Sequence, residues 1–184
     1  MAKKRERQKT QQPFLSRHNA LGLVIDATAR ESDRGFVLIC AAVLDRALEK
    51  LIRTKWSTLS NATKKEMDYL LIQRPLPPLG SAQIRAKLAR ILGWIDKTVC
   101  QALCKLFDMR NDFAHKEIAP ILDNTLIKPI FDILPWIGRD PNEIATHKTV
   151  RAELLVLTSI LLRSVQQAET KIIPNDHPNK QLDR

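Results

Sequence analysis

Residues 107 to 116 read FDMRNDFAHK, and three side chains in that piece can do chemistry together. Asn111 and His115 are four apart, so on a helix they are neighbours on one face, with Arg110 beside them. An imidazole titrates near neutral pH and can take a proton from a ribose 2′-hydroxyl. A guanidinium can stabilise the charge that builds on phosphorus oxygens. Asn111 would hold the imidazole in one tautomer and orientation. The trio therefore has the parts for metal-independent RNA cleavage by internal attack. Two other uses fit the same residues: a polar lock that fixes helix packing, or a contact with a ligand or partner.

These side chains need a helix to carry them. Asp96 is placed to cap one that runs to about Lys116. Along it Val99, Leu103, Leu106, Arg110 and Phe113 share a stripe, flanked by Cys100, Cys104, Phe107, Asn111 and His115. Arg110 stands where the apolar series expects a leucine. A guanidinium in a dry seam must be paired, because stranding it costs on the order of several kcal/mol. Asp45 is the expected internal partner. A bound phosphate, gripped by two parallel hydrogen bonds, is the alternative.

Asp45 lies on the most apolar helix, about Arg34 to Lys55, where Val37, Ala41, Leu44, Leu48 and Leu51 form one face. Phe36, Cys40, Val43 and Ala47 form a second face, which places this helix at the centre of a bundle. Ser32 or Asp33 can cap it. A helix ahead of it presents Leu21, Val24, Ile25 and Thr28. A capped shorter helix spans roughly Ala62 to Gln73, and the prolines of RPLPPLG end it. From Ser81 a further helix puts Ile84, Leu88, Ile91 and Leu92 on one side, and Gly93 closes it. Residues 118 to 141 hold four prolines and read as short helices and loops, packed by Leu122, Ile127, Ile130, Phe131 and Ile133. The last long helix, about Asn142 to Thr170, carries Val150, Leu154, Leu157 and Leu161.

No run alternates strictly, so the fold class is all-α: a single-domain multi-helix bundle with long central and C-terminal helices. The expected organisation is a disordered basic arm over 1–12, a helical domain over 13–172 and a polar tail over 173–184. In the first nine residues Lys3, Lys4, Arg5, Arg7 and Lys9 face only Glu6, which puts +4 of the net charge of +10 there. Such an arm suits sequence-blind contact with DNA or RNA. The wide apolar faces favour a homodimer.

Other chemistries are excluded or weak. There is no glycine-rich phosphate loop, no Gly-x-Ser-x-Gly and no His-Glu-x-x-His, so no cofactor is expected. Cys100 and Cys104 are four apart, but a zinc site needs two more ligands. They read as small apolar core residues, and no metal is expected. The longest apolar run, Phe36 to Leu44, is about half a membrane span, so no membrane association is expected. Sparse unpaired cysteines and no signal peptide point to the cytoplasm.

Two resemblances add to this. RNDFAH resembles the signature of the HEPN superfamily, in whose active members two such motifs meet across a dimer and cleave RNA; Arg110, Asn111 and His115 fit that pattern. More of the chain resembles the mannitol operon repressor family (MtlR). The pieces that carry this are PLGSAQIRAKLARILGWID, then LCKLFDMRNDFAH with Arg110 and His115. The helices DRGFVLICAAVLDRAL and HKTVRAELLVLTSILLRS are also similar, so the likeness spans roughly 33 to 164. It implies an all-helical bacterial regulator that represses a sugar-alcohol uptake operon as a dimer. No DNA-reading motif accompanies it, because the RPLPPLG turn is too long and too proline-rich for a helix-turn-helix. Control would then run through a protein partner or through sequence-blind contacts.

Overall fold

A computed structural model describes residues 30–59, 63–72, 77–118, 120–134 and 147–171. Its helices are α1 (Asp33–Leu59), α2 (Lys64–Leu71), α3 (Ala82–Ile91), α4 (Lys97–His115), α5 (Asn124–Phe131) and α6 (His147–Thr170). Among the described residues there is no strand, so the all-α expectation holds. The arm over 1–12, the helix expected before Arg30, the start of the last helix at Asn142 and the tail over 173–184 lie outside the described residues.

The caps follow local chemistry. The Ser32 hydroxyl accepts from the Gly35 amide at the start of α1. Thr63 and Glu66 form a reciprocal capping box on α2, each side chain taking the other's backbone amide. Asp96 caps α4 by accepting from the Val99 amide at 2.8 Å and the Thr98 hydroxyl at 2.6 Å. Desolvation alone would raise the Asp96 carboxyl. Hydrogen bonds from Thr98 and Val99, with the Arg90 charge nearby, outweigh it and hold the group below its ordinary range. Gly93 ends α3 at φ +70°, a left-handed conformation that favours glycine.

Helix α1 is central, packed on α6, α4 and α3. Its Val37, Leu44, Leu48 and Leu51 are fully buried, against Leu154, Leu157 and Leu161 of α6 and Leu103, Leu106 and Phe113 of α4. Each such side chain contributes about 1.5–3 kcal/mol relative to exposure. The second face expected on α1 is also inward: Phe36 and Cys40 are buried, and Val43 and Ala47 are partly so. Lys55 is buried too, because its ammonium donates to the Lys171 carbonyl just past the end of α6. The other end of the bundle is tied by charge. Asp33 accepts from the Leu122 amide at 3.2 Å and lies 3.7 Å from the Arg151 guanidinium, which stacks over the Phe36 ring at 4.4 Å.

Helix α3 departs from its pattern. Its aliphatic stripe of Ile84, Leu88, Ile91 and Leu92 is not the side that faces the core. Instead α3 buries Arg85, Ala86 and Ala89, while Ile84, Ile91 and Leu92 are exposed and Leu88 is half-buried. The physical reason is close approach. Alanines on the inner side let α3 settle against α4, where the Cys100 thiol donates to the Ala86 carbonyl at 3.6 Å. Arg85 enters with them because it finds an anion.

Candidate functional site

That anion is Asp45. Arg85 Nε donates to Asp45 Oδ1 at 3.0 Å, and Nη1 donates to the Leu79 carbonyl at 2.8 Å. The Arg85 side chain is 6% exposed, whereas Asp45 is 36% exposed. A buried guanidinium does sit in this bundle with Asp45 beside it, but it is Arg85 and not Arg110.

Arg110 is exposed, as are Asn111 and His115. The inward place in that turn of α4 belongs to Met109, which is buried between Leu106 and Phe113. Residue 110 stands about 100° round the helix from residue 109, and that rotation turns the guanidinium to the surface. It is not stranded there, for Arg110 Nη1 donates to Asn111 Oδ1 at 2.9 Å.

Arg110, Asn111 and Asp45 nevertheless share one place. They line a cavity of about 480 Å³ between α1, α4 and the start of α3. Leu38 and Ala42 of α1, Phe107 of α4, and Ser81 with Gln83 at the entry to α3 complete much of its wall. Ser81 occupies the N-cap position of α3 in extended conformation, yet its side chain makes no capping hydrogen bond. Gln83 is engaged elsewhere, donating to Asp108 and the Cys104 carbonyl. The wall thus mixes apolar side chains with a guanidinium, two carboxamides, a hydroxyl and a carboxylate already held by Arg85. Such a lining can orient a small polar molecule or a side chain of a partner.

His115 is not among the residues that line the cavity. It closes α4, one turn beyond Asn111, and Lys116 follows with its ammonium 3.1 Å from Asp112. The structure therefore joins Arg110 to Asn111 and sets the imidazole apart from the cavity. The basic residues Lys3, Lys4, Arg5, Arg7 and Lys9 lie outside the described residues.

The cysteines are free thiols. Burial pushes the Cys40 thiol up to about 11. Burial, with Cys100 close by, does the same to Cys104. Both remain neutral near pH 7, unlike activated nucleophiles or metal-ready thiolates. Among the described residues no group of three or more His, Cys, Asp or Glu gathers in a metal-holding arrangement. No described helix is long and apolar enough to cross a membrane.

The residue that sequence reasoning missed is Arg85. Its signal was present: Ala82, Ala86 and Ala89 surround it at helical spacing, marking a face meant for close approach. The larger isoleucines on the opposite side masked that signal.

No protein-family model matches the chain, and no curated protein does. Among solved structures the fold is similar to a chain of the MtlR–HPr complex from Escherichia coli. The TM-score is 0.63 at 18% identity, over 79% of this chain and 97% of that one, a likeness of fold that takes in nearly the whole of the neighbour.

Proposed function

We propose that the chain is a bacterial transcription regulator of the mannitol-repressor kind, acting in the cytoplasm through a protein partner. One observation carries this: the bundle follows, almost end to end, a chain solved as a complex of MtlR with the protein HPr. Two local features support it. Three of the four pieces that resemble the repressor family lie in α1, α3 and α4, the helices that wall the cavity, and the fourth lies in α6. The polar groups there, Arg110 and Asn111, are exposed on the surface, where a partner can reach them. The working form is a homodimer, and the basic arm adds sequence-blind contact with nucleic acid.

Deletion of the gene in the native cell, with transcripts sequenced, tests the regulatory role. Transcripts of a sugar-alcohol uptake operon are expected to rise, and unchanged transcripts would sink the proposal. Isolation of the tagged full chain from the same cell tests the means. A protein should co-purify in fixed ratio and rebind when purified.

A further inference from the structure

Helix α3 turns its aliphatic side outward and is held that way. Ile91 is 78% exposed, Ile84 45% and Leu92 45%, while Ala86 and Ala89 are fully buried. Single exposed apolar residues are ordinary, but these sit together on one helix with Leu88 half-buried between them. Turning α3 about its axis to bury them would tear Arg85 from Asp45 and from the Leu79 carbonyl. It would also bring isoleucines into a seam fitted to alanine. The bundle thus fixes a buried ion pair on the inner side and keeps Ile84, Ile91 and Leu92 at the surface. Ion pairs of this kind rarely add stability over an apolar pair, so orientation is what this one supplies.

Charge says what the face can receive. Helix α3 carries Arg85, Lys87 and Arg90 and no acid. Arg85 is engaged inside, while Lys87 and Arg90 are exposed beside the isoleucines. From Lys87 the surface continues into a groove of about 340 Å³, lined also by Gln101, Cys104, Lys105 and Ile133. The acid in that groove, Asp108, is held by Gln83. A second copy laid on this face would set Lys87 and Arg90 against their own kind.

We infer that the outer face of α3, with the groove beside Lys87, is a docking surface for a protein segment that offers aliphatic side chains flanked by Asp or Glu. This rests on the reading of the chain as one that works through a protein partner, and adds where the partner sits and its chemistry.

The test places a photo-crosslinking amino acid at position 91 of the full chain in its native cell. The crosslinked peptide is then sequenced. The expected adduct is a different protein, joined through a segment with acidic and aliphatic residues. For that purified protein, Lys87→Glu with Arg90→Glu should weaken binding about tenfold, less so at high salt. Ile91→Ser should weaken it at all salt concentrations. Circular dichroism must show both variants folded, as expected for exposed positions.

An adduct to another copy, or to another segment of the same chain, overturns the inference. So does Ile91-dependent sedimentation with phosphatidylglycerol vesicles. A partner that co-purifies but gives no adduct at position 91 removes this surface and leaves the regulatory reading standing. If no protein is held at all, both fall.

Discussion

Arg85 of α3 and Asp45 of α1 meet in an ion pair whose cationic side is sealed and whose anionic side is part open, 6% against 36% exposed. The pair sits at a junction. Asp45 lines the cavity that also holds Arg110 and Asn111. Arg85, six residues beyond the Leu79 carbonyl it bonds, fixes the turn that delivers Ser81 to the same cavity. One contact therefore sets both the entry to the candidate site and the direction in which α3 shows its isoleucines.

Removing the acid should be costly. Asp45→Ala leaves a buried guanidinium with only the Leu79 carbonyl, and unfolding in urea should show a loss of about 2–3 kcal/mol. That is below the loss for a fully buried pair, because the open side of Asp45 admits water. Asp45→Ala combined with Arg85→Met should recover most of it. A loss under about 0.5 kcal/mol for the single variant would mean the pair does not hold α3.

The exposed trio should behave differently. Arg110→Ala and His115→Ala are each expected to change stability by less than about 0.5 kcal/mol, since neither residue is buried. In a double-mutant cycle Arg110→Ala should show no coupling to Asp45→Ala beyond error. A loss of 1 kcal/mol or more, roughly the worth of one intramolecular hydrogen bond, would restore the polar lock that the sequence suggested. Arg110 lines the cavity, so Arg110→Ala should register in binding there and not in melting.

Most of the fold was legible because periodicity and capping are local. The stripe of Val37, Leu44, Leu48 and Leu51 marked α1 as central, and Asp96 marked the start of α4. The site was less legible because a stripe drawn at three- and four-residue steps has two ways through each turn. At Leu106 the next inward step was Met109 or Arg110, and only packing chose the methionine. Helix α3 misled for a related reason. Hydrophobicity ranks isoleucine above alanine for burial, but a helix crossing its neighbour closely needs small side chains there. Neither choice can be made without knowing which helix lies opposite.

Thiol titration supplies a pH test. Cys40 and Cys104 are raised from the ordinary 9.0 to about 11, chiefly by burial. A thiol raised on folding lends stability in full below pH 9 and loses it as pH climbs through the folded value. Stability should thus decline between about pH 9 and 11. Alkylation by iodoacetamide at pH 8 should be slow at Cys104 and negligible at Cys40 until urea unfolds the chain. Rapid labelling of Cys104 at pH 7 would show that its surroundings do not favour the neutral thiol.

The arm over 1–12 is proposed to touch nucleic acid without reading sequence, and salt isolates that contact. Its five cations, if all sit on duplex phosphates, add about 4.5 to the magnitude of the slope of log affinity against log salt. Truncation should remove that much of the slope and weaken retention on unrelated DNA sequences alike. Retention that is unchanged by truncation at two salt concentrations would take the arm out of any role with nucleic acid.

The two sides of α3 should answer opposite substitutions in opposite ways. Ala86 is fully buried against α4, with its carbonyl taken by the Cys100 thiol. Ala86→Leu must push the helices apart and should cost about 1–3 kcal/mol in urea unfolding. It should also loosen the Arg85–Asp45 pair, so its cost and that of Asp45→Ala should add to less than their sum. Ile91→Ser removes a side chain that touches mostly water and should leave stability within about 0.5 kcal/mol. Were Ile91→Ser the damaging change and Ala86→Leu the silent one, α3 would be lying on its other side, with Arg85 at the surface.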